Sequence, residues 1–244
     1  MGSFFCPHPL FDKCLQSCYN KYVLKRSTQN KYECEVIYMS NLVQEVQEEN
    51  KRLKVYYDDN PENPRDWENL GVMYCKWNRY TLGDVRIDSM EDVYSDLADR
   101  LNIEVEYKRD GDLTKKTINR VNALCYIYPL YCVEHSGISI SMSSFADPWD
   151  SGCCGVIAII KSQLKKECGT TSEERAKEIL EGEVDLYSKY LNGDVYWYEC
   201  ETVSKCECCG QEVVETVDSC CGFYDLEDIK DNVPEEFKSL AEQL

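Results

Sequence analysis

Apolar and polar positions change period several times along this chain, and each change marks an element. Leu53-Lys54-Val55-Tyr56-Tyr57 reads as a strand, and Asp58-Asp59-Asn60-Pro61, reinforced by Pro64, ends it. Residues 70–77 suit a second strand. Ser89-Met90-Glu91-Asp92 has the spacing of a capping box and opens a helix whose Met90, Val93, Leu97 and Leu101 share one side. Residues 103–107 alternate with period two and meet Asp110-Gly111, which predicts a strand entering a turn. The most apolar stretch, residues 123–133, turns through Glu134-His135-Ser136-Gly137 into Ile138 and Ile140, predicting two central strands. Residues 145–152 form a loop, and residues 153–160 are a continuous apolar run of strand length, expected to be buried on both faces.

A second capping-box string, Thr171-Ser172-Glu173-Glu174, opens a helix with Ala176, Leu180, Val184, Tyr187 and Leu191 on one face, ended by Asn192-Gly193. Residues 195–203 and 212–217 read as strands joined through Cys206-Glu207-Cys208-Cys209-Gly210. Pro234 then opens a final helix carrying Phe237, Leu240 and Leu244. Residues 1–50 differ in character and read as an N-terminal extension, with Leu42, Val46 and Leu53 at the spacing of a short amphipathic helix resting on a main domain of residues 51–244. The fold class expected is α+β, with a mixed or mainly antiparallel central sheet and three or four flanking helices. No repeat or low-complexity tract interrupts it.

Charge narrows the function classes. Asp and Glu total 45 against 27 Lys and Arg, a formal charge of -18. Such a field repels phosphate backbones and anionic lipid, so direct nucleic-acid binding is disfavoured, and a partner with a basic protein surface is favoured. No run approaches the roughly 18 apolar residues that span a bilayer, which excludes a membrane helix. Sixteen cysteines follow a start with no basic, apolar leader, so the expected compartment is a reducing cytoplasm and the thiols are candidates for burial, metal binding or redox chemistry.

Three groups of residues carry candidate chemistry. Cys206 and Cys209 form a Cys-x-x-Cys followed by Gly210, half of a tetrahedral zinc site, with Cys220 or Cys221 on the next strand as partner and Cys200 or Cys208 to complete it. The cofactor expected is therefore none or a structural zinc at Cys206, Cys209 and Cys220. Cys6, His8, Cys14 and Cys18 offer a second set of ligand types near the start. His135 with Asp147 and Asp150 could meet at one sheet edge for acid–base work, although Cys132, three residues from His135, belongs on the opposite strand face and is a poor nucleophile for it. Finally, Asp88, Glu91, Asp92, Asp96 and Asp99 form an acidic row, one face of which could imitate spaced phosphates for a basic partner.

Several strings carry a family resemblance: residues 56–67, Tyr-Tyr-Asp-Asp-Asn-Pro-Glu-Asn-Pro-Arg-Asp-Trp; Tyr128-Pro129-Leu130-Tyr131 with His135-Ser136-Gly137-Ile138; and Asp147-Pro148-Trp149-Asp150-Ser151-Gly152. Residues 190–196 and 218–224 continue it. In these the chain resembles an uncharacterised family of small acidic proteins encoded by phages and mobile elements of Gram-positive bacteria. Residues before about 51 and the thiol-rich turn depart from that pattern. The resemblance implies a bacterial host cytoplasm and a host-takeover or counter-defence role, but no established activity. The leading expectation is thus a non-enzymatic inhibitor that binds a host or defence protein through an acidic, DNA-mimicking surface. Its rivals are a hydrolase or nucleotide-processing enzyme centred on His135, and a zinc-stapled adaptor.

Overall fold

The computed structural model describes residues 41–135, 137–147 and 149–244. Cys6, His8, Cys14 and Cys18 lie outside them. The fold is α+β, as expected, with two mainly antiparallel sheets that belong to two compact units. Of the described residues, one unit comprises residues 58–195 and 222–225; the other takes residues 41–57 together with Tyr196–Cys221 and Leu226–Leu244.

The four-stranded sheet has the order β1-β2-β8-β9. Its first strand, β1 (Leu42–Glu48), corrects the amphipathic helix expected there. It pairs antiparallel with β2 (Lys51–Tyr57) through a turn at Glu49 and Asn50, where Glu49 takes a left-handed φ of 52°. Val46 therefore lies opposite Leu53 across a hairpin, and Leu42 opposite Tyr56. β2 pairs in turn with β8 (Tyr196–Lys205), placing Leu53 beside Cys200 and Val55 beside Tyr198, all four buried. Arg52 and Lys54 sit at alternate positions and hold the buried Glu201 carboxylate at 2.6 and 3.0 Å, so its charge is compensated on both oxygens. The edge strand β9 (Glu212–Phe223) follows.

The five-stranded sheet has the order β4-β3-β7-β5-β6, where β3 is Val72–Cys75, β4 Val85–Arg86, β5 Cys125–Glu134, β6 Ile138–Ser141 and β7 Ser151–Ile160. The β3–β4 pair is parallel and the others antiparallel. β7 lies at the centre, as its unbroken apolar run required, whereas β6 is an edge strand. Both faces of the sheet are covered. Met73, Leu130, Ile157 and Ile159 pack with Ala176, Leu180, Val184 and Tyr187 of a long helix, while Tyr74, Val156, Ala158 and Ile160 pack with Val93, Leu97, Ala98 and Val121 from two others. In chain order these helices are α1 (Met90–Arg100), α2 (Lys115–Leu124), α3 (Lys161–Cys168) and α4 (Glu173–Asn192). Leu180 is fully buried, a burial that stabilises by about 2 kcal/mol over exposure.

Residues 103–107 do not form the strand expected; only Tyr107 bridges to Leu113. A strand needs a neighbour, and the backbone here bonds locally instead: Ile103 N–H donates to Ala98 O, and Glu106 N–H to the Thr117 hydroxyl. A bulge in β7 sets the side-chain order of the thiols. Leu130 pairs with Gly155 and Tyr131 with Cys153, so Cys154 is the extra residue and joins Ile157 on one face. Gly155 is obligatory there, because a Cβ would lie 1.9 Å from the Tyr74 carbonyl oxygen. The C-terminal residues form α5 (Leu226–Asn232), a 3-10 turn at Glu235–Phe237 and α6 (Lys238–Ala241), burying Ile229, Val233, Phe237, Leu240 and Ala241. No helix among the described residues is long and apolar enough to cross a membrane.

Candidate functional site

His135 and the loop before β7 do meet at one end of the five-stranded sheet. Glu134 N–H donates to Asp150 O at 3.0 Å, and His135 Nδ1 lies 3.6 Å from Asp150 Oδ2. The pair is open to water, with side chains 79% and 50% exposed. Asp147 faces its own turn. Its Oδ1 accepts from the Trp149 and Asp150 N–H groups at 2.9 and 3.2 Å, and these bonds hold its carboxyl below the usual range, with a smaller contribution from His135. A shallow hollow is lined by Lys76, Trp77, Asn78, Arg79, Glu134 and Cys153, and neither His135 nor Asp147 is among its lining residues. Cys132 points into the core beside Cys154 and Cys75, all three buried. Hydrogen bonds with Cys132 and then Cys75, followed by burial, push the Cys154 thiol far up. These three thiols are packing groups, buried in the core. What the turn does present is Trp149, 91% exposed.

The acidic row divides into engaged and free carboxylates. Asp92 Oδ2 accepts from Asp88 N–H and Ser89 N–H, both at 2.8 Å, closing the capping box of α1, and those two bonds lower its pKa. Asp96 is held between the Tyr74 hydroxyl at 2.5 Å and Arg100 Nε at 2.6 Å. Burial, then the bond to Asp96, pushes the Tyr74 hydroxyl strongly up, so it stays a donor. Asp88 is exposed and lies 3.9 Å from Lys76. Glu91 and Asp99 are exposed and have no ion-pair partner among the described residues. Reversing Asp92 and Asp96 would therefore damage the fold, and only Asp88, Glu91 and Asp99 can be changed as surface charges.

The thiol cluster differs in membership from the one expected. At the β8–β9 turn, Cys206 N–H donates to Gln211 O and Gly210 N–H to Cys206 O, both at 2.8 Å, with Gly210 at a φ of 71°. The sulfurs of Cys206, Cys208 and Cys209 all lie within 4.8 Å of one another and could hold a metal ion. The Cys206 and Cys208 sulfurs are 2.9 Å apart. Hydrogen bonds from the Cys208 thiol, then from the Cys208 and Cys209 N–H groups, bring the Cys206 thiol down to about 6. Cys220 is not a member. It sits far along β9, roughly 30 Å from the turn at about 3.3 Å per residue, and its thiol lies 3.8 Å from Cys221 O. Cys200 is buried and lies six residues before Cys206 along β8, roughly 20 Å at about 3.3 Å per residue, so it does not complete the set either.

One group escaped the sequence reading. Arg65, with a side chain only 3% exposed, bonds Asp84 through Nε and Nη2 at 2.9 and 2.6 Å, Glu183 through Nη1 at 3.1 Å and the Gly71 carbonyl at 2.7 Å. Asp84 and Glu183 also accept from the Met73 and Leu70 N–H groups, each at 2.8 Å. The signal was the string Asn63-Pro64-Arg65-Asp66-Trp67, whose basic residue sits in an otherwise acidic stretch. Its role is internal, tying the loop before β3 to α4. Comparison of the chain with protein-family profiles, with curated proteins and with solved structures finds no match.

Proposed function

We propose that this chain is a non-enzymatic interaction protein of a phage or mobile element, acting in the bacterial cytoplasm as a host-takeover or counter-defence inhibitor. Its partner is a host or defence protein with a basic surface, held through the acidic, DNA-mimicking side of α1. One observation carries the reading: Asp88, Glu91 and Asp99 remain exposed while their neighbours Asp92 and Asp96 are engaged within the fold. Exposed carboxylates in a chain of formal charge -18 steer a basic partner and give binding that weakens with salt. Trp149 is a second contact of the kind that anchors interfaces, a large aromatic ring held in solvent by an ordered turn.

The test is copurification from a bacterial host at physiological salt, with the Asp88→Lys, Glu91→Lys, Asp99→Lys triple variant beside the unaltered chain. A stoichiometric partner with a basic surface is expected, lost as salt rises and lost in the variant, whose circular dichroism stays unchanged. Retention of the partner by the folded variant refutes the electrostatic reading. The thiol turn favours a second reading, an adaptor whose β8–β9 hairpin is stapled by structural zinc, since three sulfurs already converge there.

A further inference from the structure

The zinc reading of the hairpin can be taken further, and the present inference rests on it. A closed structural zinc site needs four protein ligands, and Cys220, the fourth sulfur that strand adjacency seemed to offer, is remote. Within the turn the chain supplies three. Cys206 is half-buried at the end of β8, Cys208 and Cys209 are exposed, and their sulfurs lie within 4.8 Å of one another. A tetrahedral ion with sulfurs at about 2.3 Å sets its ligands roughly 3.8 Å apart, so the three need only small rotations to share one ion. The Cys208 and Cys209 N–H groups already face the Cys206 sulfur, an orientation that supports a metal-bound thiolate as well as a free one. Gly210 turns the backbone back at a left-handed φ of 71°.

We propose that Cys206, Cys208 and Cys209 of a single chain bind one zinc ion through three thiolates, with the fourth coordination position open to solvent. Soft thiolates select zinc among the common divalent ions by ligand type. The exposed hairpin tip leaves the open position accessible to a nitrogen, oxygen or sulfur donor from another molecule.

Cobalt(II), which reports tetrahedral thiolate coordination by its visible and near-ultraviolet absorption, is titrated into the reduced full chain without chelator, and zinc is then used to displace it. The Cys206→Ser, Cys208→Ser, Cys209→Ser triple variant serves as background, so the difference isolates this turn from every other thiol. One ion per chain is expected in the difference. The charge-transfer absorption should fall by about a third in Cys208→Ser, with zinc affinity down at least about tenfold, and both should be unchanged in Cys220→Ser. Imidazole added to the cobalt form should shift the visible bands, because it can enter the open position. A zero difference overturns the inference and the zinc-staple reading together. Loss in Cys220→Ser, a spectrum indifferent to imidazole, or one ion per two chains overturns the open three-thiolate site alone and leaves zinc in place.

Discussion

Arg65→Met is the sharpest test of how the five-stranded unit is held together. The substitution keeps a long apolar stem but removes every bond to Asp84, Glu183 and the Gly71 carbonyl. Burial alone would lower the Arg65 pKa, yet the Asp84 and then the Glu183 carboxylates raise it, so the cation is firmly held. Breaking a buried pair from one side costs about 3–5 kcal/mol, because the remaining charge is stranded. Here two charges are stranded, but Asp84 retains a side-chain exposure of 23% and Glu183 of 12%, so water reaches both in part. The lower end, about 3 kcal/mol, is therefore expected. For a chain of this size that lowers the melting temperature by about 6–12 °C. Urea and thermal unfolding followed by circular dichroism give both values. Adding Glu183→Gln should return about 1–2 kcal/mol, since the amide oxygen still accepts from the Leu70 and Gly71 N–H groups while the unpaired charge disappears. If Arg65→Met lies within about 0.5 kcal/mol of the unaltered protein, or Glu183→Gln worsens the double variant, the network is not what anchors this loop.

Gly155→Ala places a methyl 1.9 Å from the Tyr74 carbonyl and must part β3 from β7, so soluble yield should collapse or stability fall by more than about 3 kcal/mol; Gly169→Ala, at a φ of 72° with open space around it, should cost only about 1 kcal/mol. Equal urea midpoints for the two would refute the close-approach argument. The Asp92 carboxyl is lowered below 3.8 by N–H groups at the start of α1, so its contribution is present above that value and disappears as pH falls through the depressed one. The gap in urea midpoint between the unaltered chain and Asp92→Ala should thus hold from neutral pH to about 5 and close in stronger acid; a gap that widens in acid contradicts it.

The helices and buried strands were legible where one signal had one meaning. Cys153 to Ile160 read as a doubly covered strand, and it is buried throughout from Val156 to Ile160 although Cys153 is exposed; Ala176, Leu180, Val184 and Tyr187 read as a helix face and are buried as one. The misreadings came where a pattern fits two structures. Leu42, Val46 and Leu53 satisfy a helical period and also a hairpin, and the deciding feature, a left-handed Glu49, is not one that residue type announces. Residues 103–107 alternate properly, but alternation describes a strand's faces and says nothing about whether a neighbour exists to accept its hydrogen bonds. α3 was invisible because only Leu164 of its eight residues is buried, leaving no stripe to read.

At the candidate sites the same limit takes a different form, since spacing along the chain reports ligand type and not distance. Cys220 looked near Cys206 because a hairpin joins their strands, yet only residues close to the turn stay close in space. Cys208, weighed beside Cys200 only as a way to complete the set, was written in the same five-residue string as Cys206 and Cys209. Charge behaves alike. Five acids near α1 count equally in a net charge, but the capping box engages Asp92, and Tyr74 with Arg100 engages Asp96. A carboxylate that satisfies its own fold offers little to a partner, because binding would first have to break the internal bonds. Of the five acids at α1, those left exposed are therefore fewer than composition implies: Asp88, Glu91 and Asp99, three charges whose reversal leaves α1 its cap and the Tyr74–Asp96 bond to the sheet.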